Sequence, residues 1–592
     1  PESLREYKDN RGKPRKDLRD YVELYPERKD FQKLINVAMP LRFWDEVTKE
    51  EGKRYYFNDE HALFFLNANG FGRIEYKNTK GKSIFVQIED NVVHEVEPEE
   101  IKDYVLDFME KRYLPIPLRN VVRKPNQLSE ATLKGLKKLK LDFTDYDSES
   151  QYLFFRNKTI KVTGEEIKEF RPGDTSQCVW EEKVIPHHFR LLPEPFHITW
   201  NKDTDSYDID IYNQDSSFFC YLINASRVHW QTELEIRLED KDPEYRKKYL
   251  QAHKFCIDGE LLSPEEIRDQ KEHLINKMFA IGYLLHQYKN RARPWAVFAI
   301  DNKISPEEES HGRSGKSFCF SALNIFKKSV TLAGRNPEIT KNPHIYDRVT
   351  EYTDYILVDD ADRYLPFEFF YDTITGVMTV NPKNNQSYEI PFSKSPKFCF
   401  TSNFPLRNSD DSTEARVLYT AFSDYYHEKT ERNNYKETRK IADDFGKNLF
   451  DDYNEEEWNA DLNFFAQCLK FYLSVPSPRK IDAPLKDVTL RKLLADMGSN
   501  FKEWADVYFD PEGNHVNVCI VREEALEDFV KSTKTTRWTT NKFTKSLKSY
   551  CAYNGYTLNP KDLQNSQGRI TRKIEGTPKD MIYVKTKTID PV

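Results

Sequence analysis

The 592 residues lack most of what disulfide-built, zinc-stapled or membrane-spanning chains require. Eight cysteines, at 178, 220, 256, 319, 399, 468, 519 and 551, stand singly, and no C-x-x-C pair occurs. Neither a zinc ribbon nor a disulfide framework is indicated, and reduced intracellular thiols are expected. No apolar run approaches the ~18 residues of a membrane span, and the opening residues carry no signal-peptide pattern. A cytoplasmic protein with no membrane partner is the expectation. Positive charge is not in excess either, because the net charge is -7. Any binding of nucleic acid must then come from local patches or a channel. Glycine is scarce at 20 residues, whereas phenylalanine (39) and tyrosine (34) abound. An AT-rich genome explains that excess as well as stacking platforms do. The chain opens on Pro1 rather than methionine, so an upstream segment is expected.

What is present suggests several domains of mixed α/β character. Residues 1–125 combine polar helices with short strands and read as an N-terminal α+β domain. Residues 126–235 alternate aromatic strands such as YLFFRN and YDIDIY with proline-rich turns. A helical connector is expected over 236–293, with apolar residues near a 3.6-residue period. Over 294–430 apolar strands alternate with helices, which predicts a mostly parallel sheet covered on both faces. A helical segment over 431–482 and a small winged-helix-like module over 483–592 complete the chain.

The chemistry concentrates in 294–430. Residues 307–318 read EEESHGRSGKSF, and Gly315-Lys316-Ser317 closes like a phosphate-binding loop. Such a loop wraps backbone N–H groups around phosphate and sets a helix N-terminus behind it. Gly312, Arg313, Ser314 and Gly315 supply the wrap, Lys316 reaches the β and γ phosphates of ATP, and Ser317 holds Mg²⁺. Two features depart from the usual pattern. Ser310 stands where the first glycine belongs, and Glu307, Glu308 and Glu309 place negative charge just upstream. A solvated loop is the plainer account of the glutamates, and contact with a metal shell or a neighbouring subunit is the other.

A second segment, YILVDDADRY, is an apolar strand ending in Asp359 and Asp360. One acid can hold the Mg²⁺ shell and the other can orient or deprotonate the attacking water. A third, KSPKFCFTSNF, ends in Asn403, whose amide can reach the γ-phosphate or that water. Arg416 precedes the strand VLYTAF. Three apolar strands carrying G-K-S, D-D and N at their carboxyl ends make an active-site edge of an α/β sheet.

In order and spacing residues 310–422 resemble the superfamily 3 helicases, AAA+-like ATPases of viruses, phages and plasmids. More narrowly the chain is similar to poxvirus- and phage-type primase-helicases, with the best match over 150–430. YLFFRNKTIKVTGEEIKEFRPGDTSQCVWEEKVIPHHFRLLP resembles the domain that precedes their ATPase. The resemblance implies an ATP-driven DNA helicase acting as a ring, expected to be a hexamer, on single-stranded or forked DNA. It also implies a bacterial host cytoplasm, and a primase or other replication proteins as partners. Asp360, Lys316 and Asn403 would be catalytic, and Arg416 would be an arginine finger reaching the adjacent subunit, with Arg407 in reserve. Only one arginine of the family's pair is present in EARVLYTAF. The family's channel hairpin carries a lysine, which maps to Lys383 in PKNN, with Lys394 and Lys397 as further candidates. A P-loop ATPase that loads or remodels replication proteins without unwinding is the alternative. A catalytically degenerate initiator scaffold is the third reading.

Other signals do not assemble into sites. His187 and His188 are adjacent, so on a strand they point to opposite faces and cannot share a metal. Asp208 and Asp210 share a strand face, but no partner histidine or basic constellation accompanies them. The basic run TKTTRWTTNKFTKSLKSY fits a DNA-binding winged helix and a scaffold module equally well.

Overall fold

The computed structural model describes residues 7–8, 13–15, 18–28, 42–50, 52–75, 83–202, 205–302, 313–406, 411–431, 433, 435–484, 493, 497–511, 513–535, 538–565, 568–574 and 576–586. Ser310, Glu307 to Glu309, Gly312 and the reserve arginine Arg407 lie outside them. The chain divides into two compact units. The first comprises Pro1–Thr144 and Pro172–Glu182, the second Asp145–Arg171 and Lys183–Val592. The N-terminal unit therefore runs past the expected boundary at 125 and takes back a short piece of the 126–235 region.

In the first unit a four-stranded sheet, Phe71–Glu75, Ser83–Glu89, Val92–Glu95 and Val179–Trp180 in that order, is joined by helices. Helix Pro98–Lys111 turns Ile101, Val105 and Met109 inward, spaced four residues apart on one face. They pack with Phe43, Phe65 and Phe71.

The second unit centres on a five-stranded sheet. Its strands are β1 (Ala296–Asp301), β2 (Ser329–Ala333), β3 (Tyr355–Asp359), β4 (Lys397–Thr401) and β5 (Val417–Phe422). The order is β2-β3-β4-β1-β5, and every pairing is parallel. A parallel sheet needs cover on both faces, and each strand alternates between two cores. Val297, Ala299, Leu357, Cys399 and Leu418 face one. Ala296, Phe298, Ile356, Phe400 and Tyr419 face the other, with Phe367, Phe370 and Met378.

The first core is roofed by three helices, α1 (Ser217–Asn224), α2 (Pro264–Leu285) and α4 (Glu455–Ser474). A short helix, α3 (Lys316–Ser321), follows β1. Capping boxes start α2 at Ser263 with Glu266 and α4 at Asn454 with Glu457. The two long helices lie close because Gly282 carries no side chain, and a Cβ there would stand 2.3 Å from the Cys468 carbonyl. The segments 236–293 and 431–482 thus supply one layer of the central fold rather than a separate connector. The sheet face could not stay dry without them.

The expected amphipathic helix after GKS is shorter than its sequence pattern suggests. α3 tightens into a 3₁₀ turn, Ala322–Ile325, and ends before β2. Residues 497–585 form a separate small core. Among the described residues no helix is long and apolar enough to cross a membrane.

Candidate active site at the carboxyl edge of the parallel sheet

Crossovers in a parallel sheet bring the carboxyl ends of its strands to one edge, and six of the sequence candidates meet there. β1 ends at Asp301, β3 at Asp359 and β4 at Thr401, while Gly315 opens α3 with φ 88°. That left-handed backbone favours glycine, and the room is also taken. A Cβ on Gly315 would stand 2.6 Å from the Tyr221 hydroxyl. The same hydroxyl, carried by α1, donates to the Gly315 carbonyl at 2.8 Å. Burial pushes the Tyr221 phenol well above its ordinary range, so it stays a donor.

Lys316 is buried, 7% exposed, and its amine is fully engaged. It donates to Asp301 Oδ1 at 2.5 Å, Ser314 Oγ at 3.0 Å and Asn403 Oδ1 at 3.0 Å. Ser314 Oγ donates to the same Asp301 oxygen at 2.5 Å. Asn403 Nδ2 continues the chain to Asp360 Oδ1 at 3.3 Å. On the other side Ser317 Oγ donates to Asp359 Oδ1 at 2.5 Å, and Thr401 Oγ1 donates to that oxygen at 2.7 Å. Thr401 Oγ1 also accepts the Asp360 backbone N–H at 2.8 Å. Asp360 has φ 53°, which breaks the strand alternation immediately after Asp359. The two neighbouring carboxylates thereby reach different partners, Ser317 for Asp359 and Asn403 for Asp360. Arg335, in the loop after β2, pairs with the outer oxygen of Asp360.

The structure therefore brings together Ser314, Lys316, Ser317, Asp359, Asp360 and Asn403. Arg313 points elsewhere, pairing with Glu428 at 2.8 Å. Four residues of the site were not singled out from sequence. Asp301 carried the same signal as Asp359, an acid closing an apolar strand. Thr401 and Arg335 sit at strand ends with no distinctive pattern. Tyr221 lies 94 residues before Gly315, and only folding joins them.

Arg416 lies at the opposite end of the sheet. It precedes β5, whose Val417 is level with Ala296 and whose Phe422 is level with Asp301. At about 3.3 Å per residue, Arg416 stands roughly 20 Å from the carboxyl edge of its own chain. Its guanidinium donates to the Ser412 carbonyl at 2.8 Å and the Ser412 hydroxyl at 2.5 Å, and covers the Tyr371 ring.

The lysine candidates separate cleanly. Lys383 is exposed in the turn of an antiparallel hairpin, Met378–Val380 with Tyr388–Ile390, and Lys394 is exposed beyond it. Lys397 is not available to DNA. It is 3% exposed, donates to the Tyr283 carbonyl at 2.7 Å and the His286 carbonyl at 2.5 Å, and sits over the Tyr283 ring. Burial, with Lys289, Lys327 and Arg293 nearby, holds its amine well below the usual lysine range. The resemblance offered Lys397 as a further candidate for the channel-hairpin lysine, yet it occupies the first position of a central strand.

Ser317 and Asp359 present two oxygens side by side, which suits Mg²⁺ because that ion takes one or two protein oxygens and fills the rest with phosphate and water. Among the described residues no group of three or more His, Cys, Asp and Glu side chains is placed to hold a metal.

No protein-family model matches the chain, and no curated protein does. The solved structures that match include two described as the A form apo structure of the NrS-1 C terminal region. They are 13% and 11% identical, with 74% of this chain covered and 97% and 96% of theirs. The TM-score is 0.27 in each case, a likeness that carries no argument about family or activity.

Proposed function

We propose that this chain is an ATP hydrolase that drives a ring-shaped DNA helicase in the replication system of a phage or mobile element. The observation that carries the nucleotide part is the continuous hydrogen-bonded chain Lys316–Asn403–Asp360, beside Ser317–Asp359, at the carboxyl edge of a parallel sheet. Phosphoryl transfer asks little covalent chemistry of a protein and much positioning and charge. Lys316 supplies a cation for the β and γ phosphates once it leaves Asp301. Asp360, steered by Asn403 and Arg335, is placed to orient or deprotonate a water. Ser317 and Asp359 would hold Mg²⁺, which neutralises charge on the β and γ oxygens.

The DNA part rests on the exposed hairpin turn with Lys383 and on the position of Arg416. If Arg416 serves a nucleotide at all, its distance of some 20 Å from its own site makes that nucleotide another subunit's. That supports a ring, with a hexamer as the expected form and single-stranded or forked DNA as the substrate.

One observation favours the scaffold reading. Asp301 already neutralises Lys316 and places a carboxylate where phosphate would lie, which disfavours anion binding unless the pair opens. The deciding experiment is turnover. Lys316→Ala should abolish ATP hydrolysis while the fold persists, and Asp360→Asn should bind ATP without hydrolysing it. Wild-type turnover in purified Lys316→Ala protein would remove the nucleotide assignment. A wild-type chain that neither binds nor hydrolyses ATP would leave the scaffold.

A further inference from the structure

A cavity of about 380 Å³ opens where three pieces of the second unit meet: the hairpin Phe196–Asn201 with Ser206–Ile211, helix α2, and the segment 479–484 that follows α4. Alternate residues of a strand share a face. Phe196 and Ile209 turn into the core, so Trp200 and Tyr207, opposed in register, extend the same face toward the tip of the hairpin. Their rings meet edge to face at 4.8 Å. Arg479 lays its guanidinium on the indole, with Cζ 3.7 Å from that ring centroid and 6.0 Å from the Tyr207 centroid. The segment is fixed behind it. Asp482 accepts the Tyr419 N–H at 3.1 Å, and Lys480 pairs with Asp482 at 2.8 Å and donates to the Glu414 carbonyl at 3.1 Å. Asn276 of α2 donates to the Ile481 carbonyl at 2.8 Å.

Two side chains of this cavity are left unused by the fold. Glu272, one turn before Asn276 on α2, is half-buried, yet among the described residues it accepts no hydrogen bond and closes no ion pair. Burial, with Asp269 adding and Arg268 opposing, raises its carboxyl above the ordinary range. A carboxylate drawn from water without a donor is costly. Arg479 is exposed and has no hydrogen-bond or carboxylate partner among the described residues, so its donors stay available. The other charges do not favour a charged ligand. Lys480 and Asp482 neutralise each other, and Asp205, exposed, adds a second acid beside Glu272. An anion would meet Glu272 and Asp205, and a cation would meet Arg479. A neutral planar ring with N–H donors meets neither opposition.

We propose that this cavity binds a guanine base, stacked on the Arg479 guanidinium with its Watson–Crick edge turned to Glu272. Unpaired bases stack on aromatic rings and on guanidinium planes. A carboxylate accepts two parallel N–H bonds, and guanine alone of the common bases carries two adjacent N–H donors on that edge. Adenine sets one amino group beside a ring-nitrogen acceptor, which a carboxylate repels. The base can come from a free nucleoside or from a single strand of nucleic acid, whereas in a duplex that edge is taken by pairing. Guanosine carries no phosphate, so its binding here stands or falls apart from Lys316 and the ATPase reading.

The test titrates the full chain with guanosine, inosine and adenosine by calorimetry, and with a labelled oligothymidylate, with or without a central deoxyguanosine, by fluorescence anisotropy. Guanosine should bind roughly tenfold more tightly than adenosine or inosine, which lacks the N2 donors. Glu272→Gln turns one acceptor into a donor and should erase that preference. Arg479→Ala removes the stacking plane and should weaken guanosine by roughly tenfold. Should that variant loosen the hairpin through its contact with Trp200, Arg479→Lys keeps the charge without the plane and reads the stacking by itself. A guanine-dependent gain for the strand larger than the binding of guanosine assigns a strand as the source, and guanosine binding without such a gain assigns a free nucleoside. Absence of both would overturn the proposal, as would a preference that survives Glu272→Gln. Binding of N-acetylarginine amide in place of guanosine would overturn it in favour of a peptide.

Discussion

At the scale of single residues, the proposed nucleotide site sets an internal carboxylate against the phosphate it would bind. Lys316 is held by Asp301 at 2.5 Å, with Ser314 bridging both. A triphosphate must displace Asp301 before the lysine can serve it. Asp301→Asn removes the competing charge while keeping an acceptor for Ser314. ATP affinity should therefore rise by roughly tenfold, about 1.4 kcal/mol, as read by titration with a fluorescent ATP analogue. Unchanged or weaker binding would mean that Asp301 belongs to the nucleotide's own contacts. Asp301 was legible in principle, since strand WAVFAI closes on it as YILVD closes on Asp359. Tyr221 was not, because nothing in SFFCYLIN announces that one hydroxyl will brace a glycine in another part of the chain.

At the scale of elements, two pieces carry consequences of their own. The Met378–Ile390 hairpin ends in an exposed turn, with Lys383 accessible to a strand of DNA. Lys383→Ala should leave basal ATP hydrolysis intact but reduce its stimulation by DNA, abolish strand displacement, and lower the salt slope of binding by about one. Undiminished unwinding would remove the hairpin from the DNA path. Helix α2 carries the second consequence. Its Lys277 is fully buried between the helix layer and the sheet, donating to the His273 carbonyl at 3.1 Å and lying over the Phe422 ring. Burial lowers its amine from 10.5 to about 7, with Cys319 and Asp269 opposing weakly. A lysine depressed in the folded state binds its proton less tightly there than in the unfolded chain. The penalty is thus full below about pH 7 and fades as pH rises toward 10.5. Lys277→Met should raise the melting temperature most at or below pH 7, with the gain shrinking on the alkaline side. A gain independent of pH would show that packing, not charge, sets the cost.

At the scale of the whole molecule, the proposed activity depends on a partner copy. Arg416 is about 20 Å from its own chain's site, tethered to Ser412 and stacked on Tyr371. An arginine that stabilises the charge on a transferring phosphoryl group is worth roughly a thousandfold or more. Arg416→Ala should cost turnover on that scale if it serves a neighbour. Mixing it with Lys316→Ala should restore part of the activity, because one kind of interface then joins an intact lysine to an intact arginine. Mixed rings that form and remain inactive would confine Arg416 to its contacts with Ser412 and Tyr371.

What the sequence determined by itself was local and periodic. Apolar runs closing on polar residues marked the strands and the edge where Lys316, Ser317, Asp359, Asp360 and Asn403 meet, because a parallel strand buried on both faces has few other ways to end. The hairpin around Lys383 was an implication of the family resemblance, with PKNN as its turn, and not of any apolar period. Tertiary structure decided what depends on neighbours distant in the chain. It put Lys397 inside, where the resemblance offered it as a channel lysine, because register made it the first residue of a central strand. It folded the helices of 236–293 and 431–482 into one roof, because the exposed sheet face had to be dried by whatever apolar helices the chain could return to it. It also paired Lys316 with Asp301, an interaction set by how closely β1 and α3 approach and invisible to any spacing rule.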